Sequence, residues 1–406
     1  MSTMIDDPRL LAEQEGLGGA WAGFRRRVGQ GELGALPVII GLVVIWAIFA
    51  LANPSFLKPE NLSNLVLQIA SIGTISAGLV LVLLLGEIDL SAGAVSGLAG
   101  GMVAVLSVKW GLPAPVAIGA GILTGTAIGL LQGSWITSLR IPSFVVSLAG
   151  FLAWQGALIY ILGTTGAINI NDQTILGLAN TFFPDAQGWL IGIVFVVILA
   201  VVSIWGRQRR AAAGLAVGPA TTTYLRVAII SAVVLAATAV LTQARGVPSS
   251  LIILVGLIVV LDALLRRTRF GRHVYAIGGG AEAARRAGIR VTATRVAIYA
   301  MCSSIAAFGG IMAASRLRAV YQASGGGDIL LNSIAAAVIG GVSLFGGRGT
   351  VWAALLGALV IGSIANGMAL LSLEPSVQYM ITGGVLLAAV TIDAIARRGR
   401  QASGRA

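Results

Sequence analysis

The residues that could do chemistry in this chain are few, and their spacing rules most chemistry out. There is one histidine, His273, without acidic neighbours, and one cysteine, Cys302, inside an apolar run. A metal site or a Cys/His nucleophile needs partners this chain lacks, and one thiol gives no disulfide framework. No HExxH run occurs. A P-loop needs GxxxxGK[ST] with its lysine on the phosphates, yet the only lysines are Lys58 and Lys109. The glycines at 278–280 follow no buried strand and lie in a basic stretch, a weak dinucleotide signal. The chain reads as no enzyme, with no metal and no cofactor of its own.

Two short runs remain. EAARRAG begins at Glu282, in the basic stretch 266–295. Ala and Arg favour helix and Gly288 is a natural stop, so a short helix over 281–287 is expected. It offers a rigid knob to whatever pushes on it. The plainer alternative is a solvated basic loop that only fixes orientation. GEIDLS at 86–91 sits between two apolar runs, with Gly86 as a hinge. Asp89 or Ser91 can cap the helix that follows by taking its free N–H groups. Capping accounts for one acid but not obviously for two. The second reading makes Gly86, Glu87, Asp89 and Ser91 part of a gate or a docking contact, near a membrane boundary.

The elements that position these runs follow from composition. With 57% hydrophobic and 10% charged residues, the chain is no water-soluble globule. Twelve apolar segments approach the length needed to cross a hydrocarbon core of about 30 Å. They lie near 35–52, 62–85, 90–108, 113–136, 142–163, 189–205, 227–243, 248–265, 296–314, 330–345, 350–371 and 377–395. The expected fold is all-α and polytopic, with 330–345 short enough for a broken or tilted helix. Arg25–Arg27, the apolar run from Ala35 and then Ala50-Leu51-Ala52 imitate a secretory signal, but eleven further spans favour retention as the first span.

Charge gives orientation. With the N-terminus inside, all 27 Lys and Arg except Lys58, Lys109, Arg245, Arg316 and Arg318 are cytoplasmic. Net charge of +12 is then a topological signal, and no nucleic-acid role is needed. The expected organisation is a cytoplasmic arm over 1–34, with an amphipathic helix around 17–28. A transmembrane domain follows over 35–395, then a basic cytoplasmic tail over 396–406. The span interiors hold no Asp, Glu or His, Asp262 and Asp393 sitting at cytoplasmic ends, so proton coupling lacks its usual residues, whereas sodium coupling through neutral ligands leaves no charge signature.

GEIDLSAGAVSGLAGG at 86–101 is similar to the signature of ribose/xylose-type sugar permeases of ABC importers. So are IPSFVVSLAG at 141–150, YAIGGGAEAARRAGI at 275–289 and IAAAVIGGVSLFGGRGTVWAALLGALV at 334–360. The resemblance runs from about Pro54 to the C-terminus and, within the group, points to the D-xylose permeases, with ribose the alternative sugar. It implies a type II-like importer fold with 62–163 and 296–395 as repeated halves. An additional basic loop and helix pair would lie at 206–265, ending in the RGVP turn of Arg245–Pro248. It also implies a homodimer in the cytoplasmic membrane, surrounded by lipid, with a separate ATPase subunit that binds ATP and Mg, and an extracytoplasmic sugar-binding protein.

By that resemblance Glu282, Ala283, Ala284, Arg285 and Gly288 meet the ATPase. Neutral groups in the spans, namely Gln68, Ser71, Thr74, Gln155, Asn332 and Asn366, suit a sugar, and Trp154 could stack on its ring. Each also suits helix–helix contact. Arg316 and Arg318 are positioned to pair with carboxylates of the binding protein. Gly93, Gly97 and Gly101, and Gly121, Gly125, Gly129 and Gly133, recur every four residues and predict close helix packing. A sodium-coupled carrier and a non-transporting scaffold are the rival readings.

Overall fold

The computed structural model describes residues 35–215, 217 and 219–402. The expected N-terminal arm and its helix near 17–28 lie outside the described residues. All twelve expected segments are helical. Nine of the described helices are long and apolar enough to cross a membrane.

The chain divides into two compact units. The larger begins with α1 (Leu36–Ala52), α2 (Pro59–Leu84), α3 (Ala92–Ala104), α4 (Ala114–Ser138), α5 (Ser143–Leu162) and the short α6 (Gln173–Asn180). The smaller holds α7 (Asp185–Ala212) and α8 (Ala220–Thr242). The larger resumes with α9 (Ser249–Arg267), α10 (Arg269–Gly279), α11 (Ala281–Arg286) and α12 (Val291–Leu317). It ends with α13 (Gly327–Ile339), α14 (Trp352–Leu370) and α15 (Pro375–Ala402).

Within the smaller unit, α7 and α8 are antiparallel. Gly188 lies against Thr242 and Gly192 against Thr238, so the missing side chains let the backbones close. The expected additional segment 206–265 holds the end of α7, all of α8 and most of α9, of which α7 and α8 fall in the smaller unit and α9 in the larger. RGVP precedes α9, which packs on α2 and α6 of the larger unit.

In the larger unit α2 and α12 form the centre. Helix α12 packs on α2, α3 and α4; α2 packs on α12, α13 and α14. Exchanging α2 with α12, α3 with α13, α4 with α14 and α5 with α15 reproduces the network. The contacts α3–α4 and α3–α5, for example, have counterparts in α13–α14 and α13–α15. Such an exchange is what an internal two-fold repeat produces. Gly125, Gly129 and Gly133 lie against α12, and Gly121 lies first against Val103 and Ala99 of α3 and then Ile311 of α12; a Cβ at Gly133 would sit 3.0 Å from the Val296 Cα. Gly93 and Gly97 instead face Ser324 and Gly325, and Gly101 faces Leu158 of α5.

Helix α13 has 13 residues, about 20 Å of helix, and cannot cross the core alone. It stops at Gly340-Gly341, and residues 342–351 turn back as an irregular loop before α14. Helix α15 continues through residue 402, so the expected tail begins as helix. After α5, strand β1 (Ala167–Asn169) pairs antiparallel with β2 (Ala319–Tyr321), Ile168 opposite Val320. Asp172 caps α6 by accepting from the N–H groups of Thr174 and Ile175 at 2.8 and 3.0 Å.

Candidate coupling and gating site

The basic stretch 266–295 is more ordered than a loop. Thr268 accepts from the Gly271 N–H at 3.2 Å and starts α10, a helix not foreseen because the stretch is polar and basic. Gly280 separates it from α11, and Gly288, at φ +81°, turns the chain out of α11 as expected. Glu282 pairs with Arg285 at 2.7 Å and with Arg286 at 3.6 Å, all three exposed. Ala283 is exposed too. Ala284 is not: it is 4% exposed and belongs to the core cluster that holds Val274, Ile277 and Val291. Of the residues assigned to the ATPase contact, Ala284 therefore anchors the helix, while Glu282, Ala283, Arg285 and Gly288 face out.

Three backbones meet beneath this helix. Gly278, near the end of α10, lies against the Leu84 carbonyl and Gly347. The Gly347 N–H donates to the Leu84 carbonyl at 2.9 Å. A Cβ at Gly86 would sit 3.1 Å from the Phe345 carbonyl oxygen, and one at Gly346 2.9 Å from that of Gly278. Gly86 (φ +77°) and Gly346 (φ +83°) also occupy backbone conformations that disfavour side chains. Tyr275 adds a hydroxyl bond to the Gly349 carbonyl at 2.9 Å. Helix α10, the end of α2 and the 342–351 loop thus touch with no side chain between them.

The Gly86–Ser91 turn leaves α2 from this junction. Its acids have different tasks. Glu87 accepts from the Tyr299 hydroxyl at 2.9 Å and pairs with the Arg295 Nε at 2.8 Å, both on α12. Asp89 is fully buried and accepts from the Ser91 N–H at 2.8 Å and the Ser91 hydroxyl at 2.6 Å. Burial pushes its carboxyl above the ordinary range, and the bonds from Ser91 oppose that shift. The Cys302 thiol lies 3.8 Å from its second oxygen, and Ser91 Oγ also lies 2.9 Å from Gln132 Oε1. The capping expectation holds for Asp89 and not for Ser91: the Ser91 side chain makes no cap bond to α3, while Asp89 accepts from the N–H groups of Ser91 and of Ala92, the first residue of α3.

Arg295, Tyr299, Gln132 and Cys302 were not foreseen. One signal for Arg295 exists: it is a cation in the first turns of an otherwise apolar span, facing a chain with few acids.

The expected pathway residues do not converge. Thr74 donates back to the Ala70 carbonyl at 2.7 Å and lies 3.5 Å from Met312 Sδ. Asn366 exchanges amide bonds with Asn61 at 2.8 and 3.0 Å, and Gln155 donates to the Gln322 carbonyl at 2.5 Å. These three serve contacts within the protein. Ser71 is buried, and Gln68, Trp154 and Asn332 are half-buried. Arg318 is exposed and ends α12 at φ +56°; Arg316 is only half-exposed.

Residues 61–218 and 215–390 match the family described as branched-chain amino acid transport system / permease component. The chain is similar to the xylose transport system permease protein of Haemophilus influenzae, 39% identical over 88% of this chain and 95% of the relative. The corresponding Escherichia coli K12 protein is 36% identical over 89% of this chain and 92% of the relative. The ribose import permease protein of Bacillus subtilis is 32% identical over 90% and 94%. No solved structure matches.

Proposed function

Because the chain belongs to this family of transport permease components, we propose that its coupling helix drives sugar import by moving the Gly86–Ser91 turn. The protein is the multi-pass permease of an ABC sugar importer in the cell membrane, and it works with an ATPase and a binding protein. The family description names amino acids, but the relatives at 32–39% identity are permeases for xylose and ribose. D-xylose is the substrate we assign.

In this reading the permease catalyses no reaction. ATP and magnesium bind to the partner ATPase, two copies of the chain form the pathway, lipid surrounds them, and both termini are cytoplasmic. The ATPase engages Glu282, Ala283 and Arg285. Closure of the ATPase pair shifts α11, and Ala284 carries the shift into α10. Backbone contact at Gly278 then displaces Leu84 and Gly346 without the slack of intervening side chains. Glu87 carries the motion to α12 through Arg295 and Tyr299, and the bundle changes from inward- to outward-facing. Arg318, with Arg316 beside it, receives the binding protein.

The observation that carries this route is the three-way glycine contact linking Gly278, Gly86 and Gly346. The test is ATP hydrolysis and uptake by the reconstituted assembly across pentoses and hexoses. D-xylose should stimulate both. Uptake driven by a sodium gradient without ATPase would refute the reading.

A further inference from the structure

We propose that Gln132 of α4 and Trp154 of α5 form a contact point for one hydroxyl group of the transported sugar. The proposal rests on the sugar-import reading and adds residues that hold the cargo. Gln132 is 2% exposed, and its Oε1 faces Ser91 Oγ at 2.9 Å. Its Nε2 is buried and meets no acceptor among the described residues; neither does the buried indole N–H of Trp154.

Both nitrogens converge on Gly150. A Cβ built there would collide with Gln132 Nε2 and stand 3.1 Å from Trp154 Nε1. One residue along α5, Gln155 Oε1 is a buried acceptor with no donor, although its Nε2 is bonded to the Gln322 carbonyl. Unmet buried polar atoms are costly and uncommon, and three from two neighbouring helices call for a cause.

A hydroxyl group fits, because it accepts from an N–H and donates to a carbonyl oxygen. The nearest charged group in this hydrogen-bond chain, Asp89, is already held by Ser91, so the site suits a neutral polyol. Trp154 is half-buried, while Leu152, Ala153 and Gly156 on adjoining faces of α5 are exposed. The indole ring therefore borders an exposed face of α5, while its N–H is buried. Through Ser91, the same amide reaches the turn that the coupling helix moves.

The test is ATP-dependent uptake by the full assembly of permease, ATPase and binding protein in liposomes. It compares wild type, Trp154→Phe and Gln132→Met with D-xylose and its 2-, 3- and 4-deoxy analogues. Binding-protein preference cancels in each variant-to-wild-type ratio. Each variant should lower D-xylose uptake by roughly 2- to 10-fold, the loss of one neutral hydrogen bond. That penalty should vanish for the one deoxy analogue lacking the bonded hydroxyl. An equal penalty for every analogue would assign the pair to packing and overturn the proposal. So would no penalty at normal membrane levels. Should Gln132→Met fail to accumulate, Trp154→Phe carries the test alone, since it removes the N–H and keeps an aromatic ring. Wild-type protein without ATP-dependent uptake of any sugar would instead defeat the import reading itself, and the contact point with it.

Discussion

Replacing Glu87 by Gln removes a charge while keeping an acceptor for the Tyr299 hydroxyl, now 2.9 Å from the carboxylate. Arg295 then loses its counter-ion at 2.8 Å. The Glu87 side chain is 11% exposed and that of Arg295 27%. Fully buried pairs cost about 3–5 kcal/mol when one partner is removed, and exposed pairs about 0–1 kcal/mol. This pair lies between those limits, so Glu87→Gln should cost about 2 kcal/mol, and Arg295→Met about the same. Removing both leaves no uncompensated charge, and the double variant should lie within about 1 kcal/mol of wild type. The expected coupling energy is therefore about 3 kcal/mol. Thermal unfolding midpoints of the four proteins in one detergent give the cycle. Uptake supplies a second readout: the double variant should regain stability but not transport, because the link from the turn to α12 is still missing. Coupling below about 0.5 kcal/mol would refute the argument, since the two side chains would then act independently.

Glu282→Pro should disrupt the first turn of α11 and uncouple hydrolysis from uptake while membrane insertion persists; measuring both rates in one preparation checks it. Ala284→Asp places an unpaired charge in the core cluster, so ATPase binding in pull-down should fall at least 10-fold, whereas Ala283→Asp should leave the fold intact. Burial raises the Asp89 carboxyl above its ordinary 3.8, so its ionised form is penalised in the fold. The stability its neutral form contributes is present below pH about 4 and lost as pH rises through the raised value. Asp89→Asn should therefore gain on wild type in unfolding midpoint between pH 4 and pH 7, and a constant difference would contradict this. Asn366→Leu should destabilise by about 1–3 kcal/mol by leaving the Asn61 Oδ1 without its donor while leaving sugar preference unchanged. A change of preference would return Asn366 to the pathway.

Much of this was legible in the chain, because span length and periodic glycine survive in one sequence. The Gly340-Gly341 pair marked the end of the half-length helix α13, and Gly288 marked the end of α11. Other features depend on contacts between distant segments. Asp89 could be placed between two apolar runs, but its burial comes from segments distant in sequence, with Gln132 bonded to Ser91 beside it and Cys302 at its second oxygen. Arg295 counted toward topology, and only the fold revealed Glu87 as its partner. In α11, six residues give too little periodicity to show that Ala284 faces inward. The stretch before α11 read as a basic loop although α10 runs through it, and Gly278 there serves backbone approach. RGVP marked a turn in the sequence, and only the contacts show that the chain passes there from the smaller unit to the larger.

The central claim is that work enters at α11 and crosses a backbone contact at Gly278. Its most direct test is ATP hydrolysed per D-xylose imported by Gly278→Ala, in proteoliposomes matched for permease content. A methyl there would overlap the Leu84 carbonyl and Gly347 and push the segments apart. The account predicts that hydrolysis continues while uptake falls at least 10-fold, raising the ratio by the same factor. A wild-type ratio, with both rates intact, would contradict it.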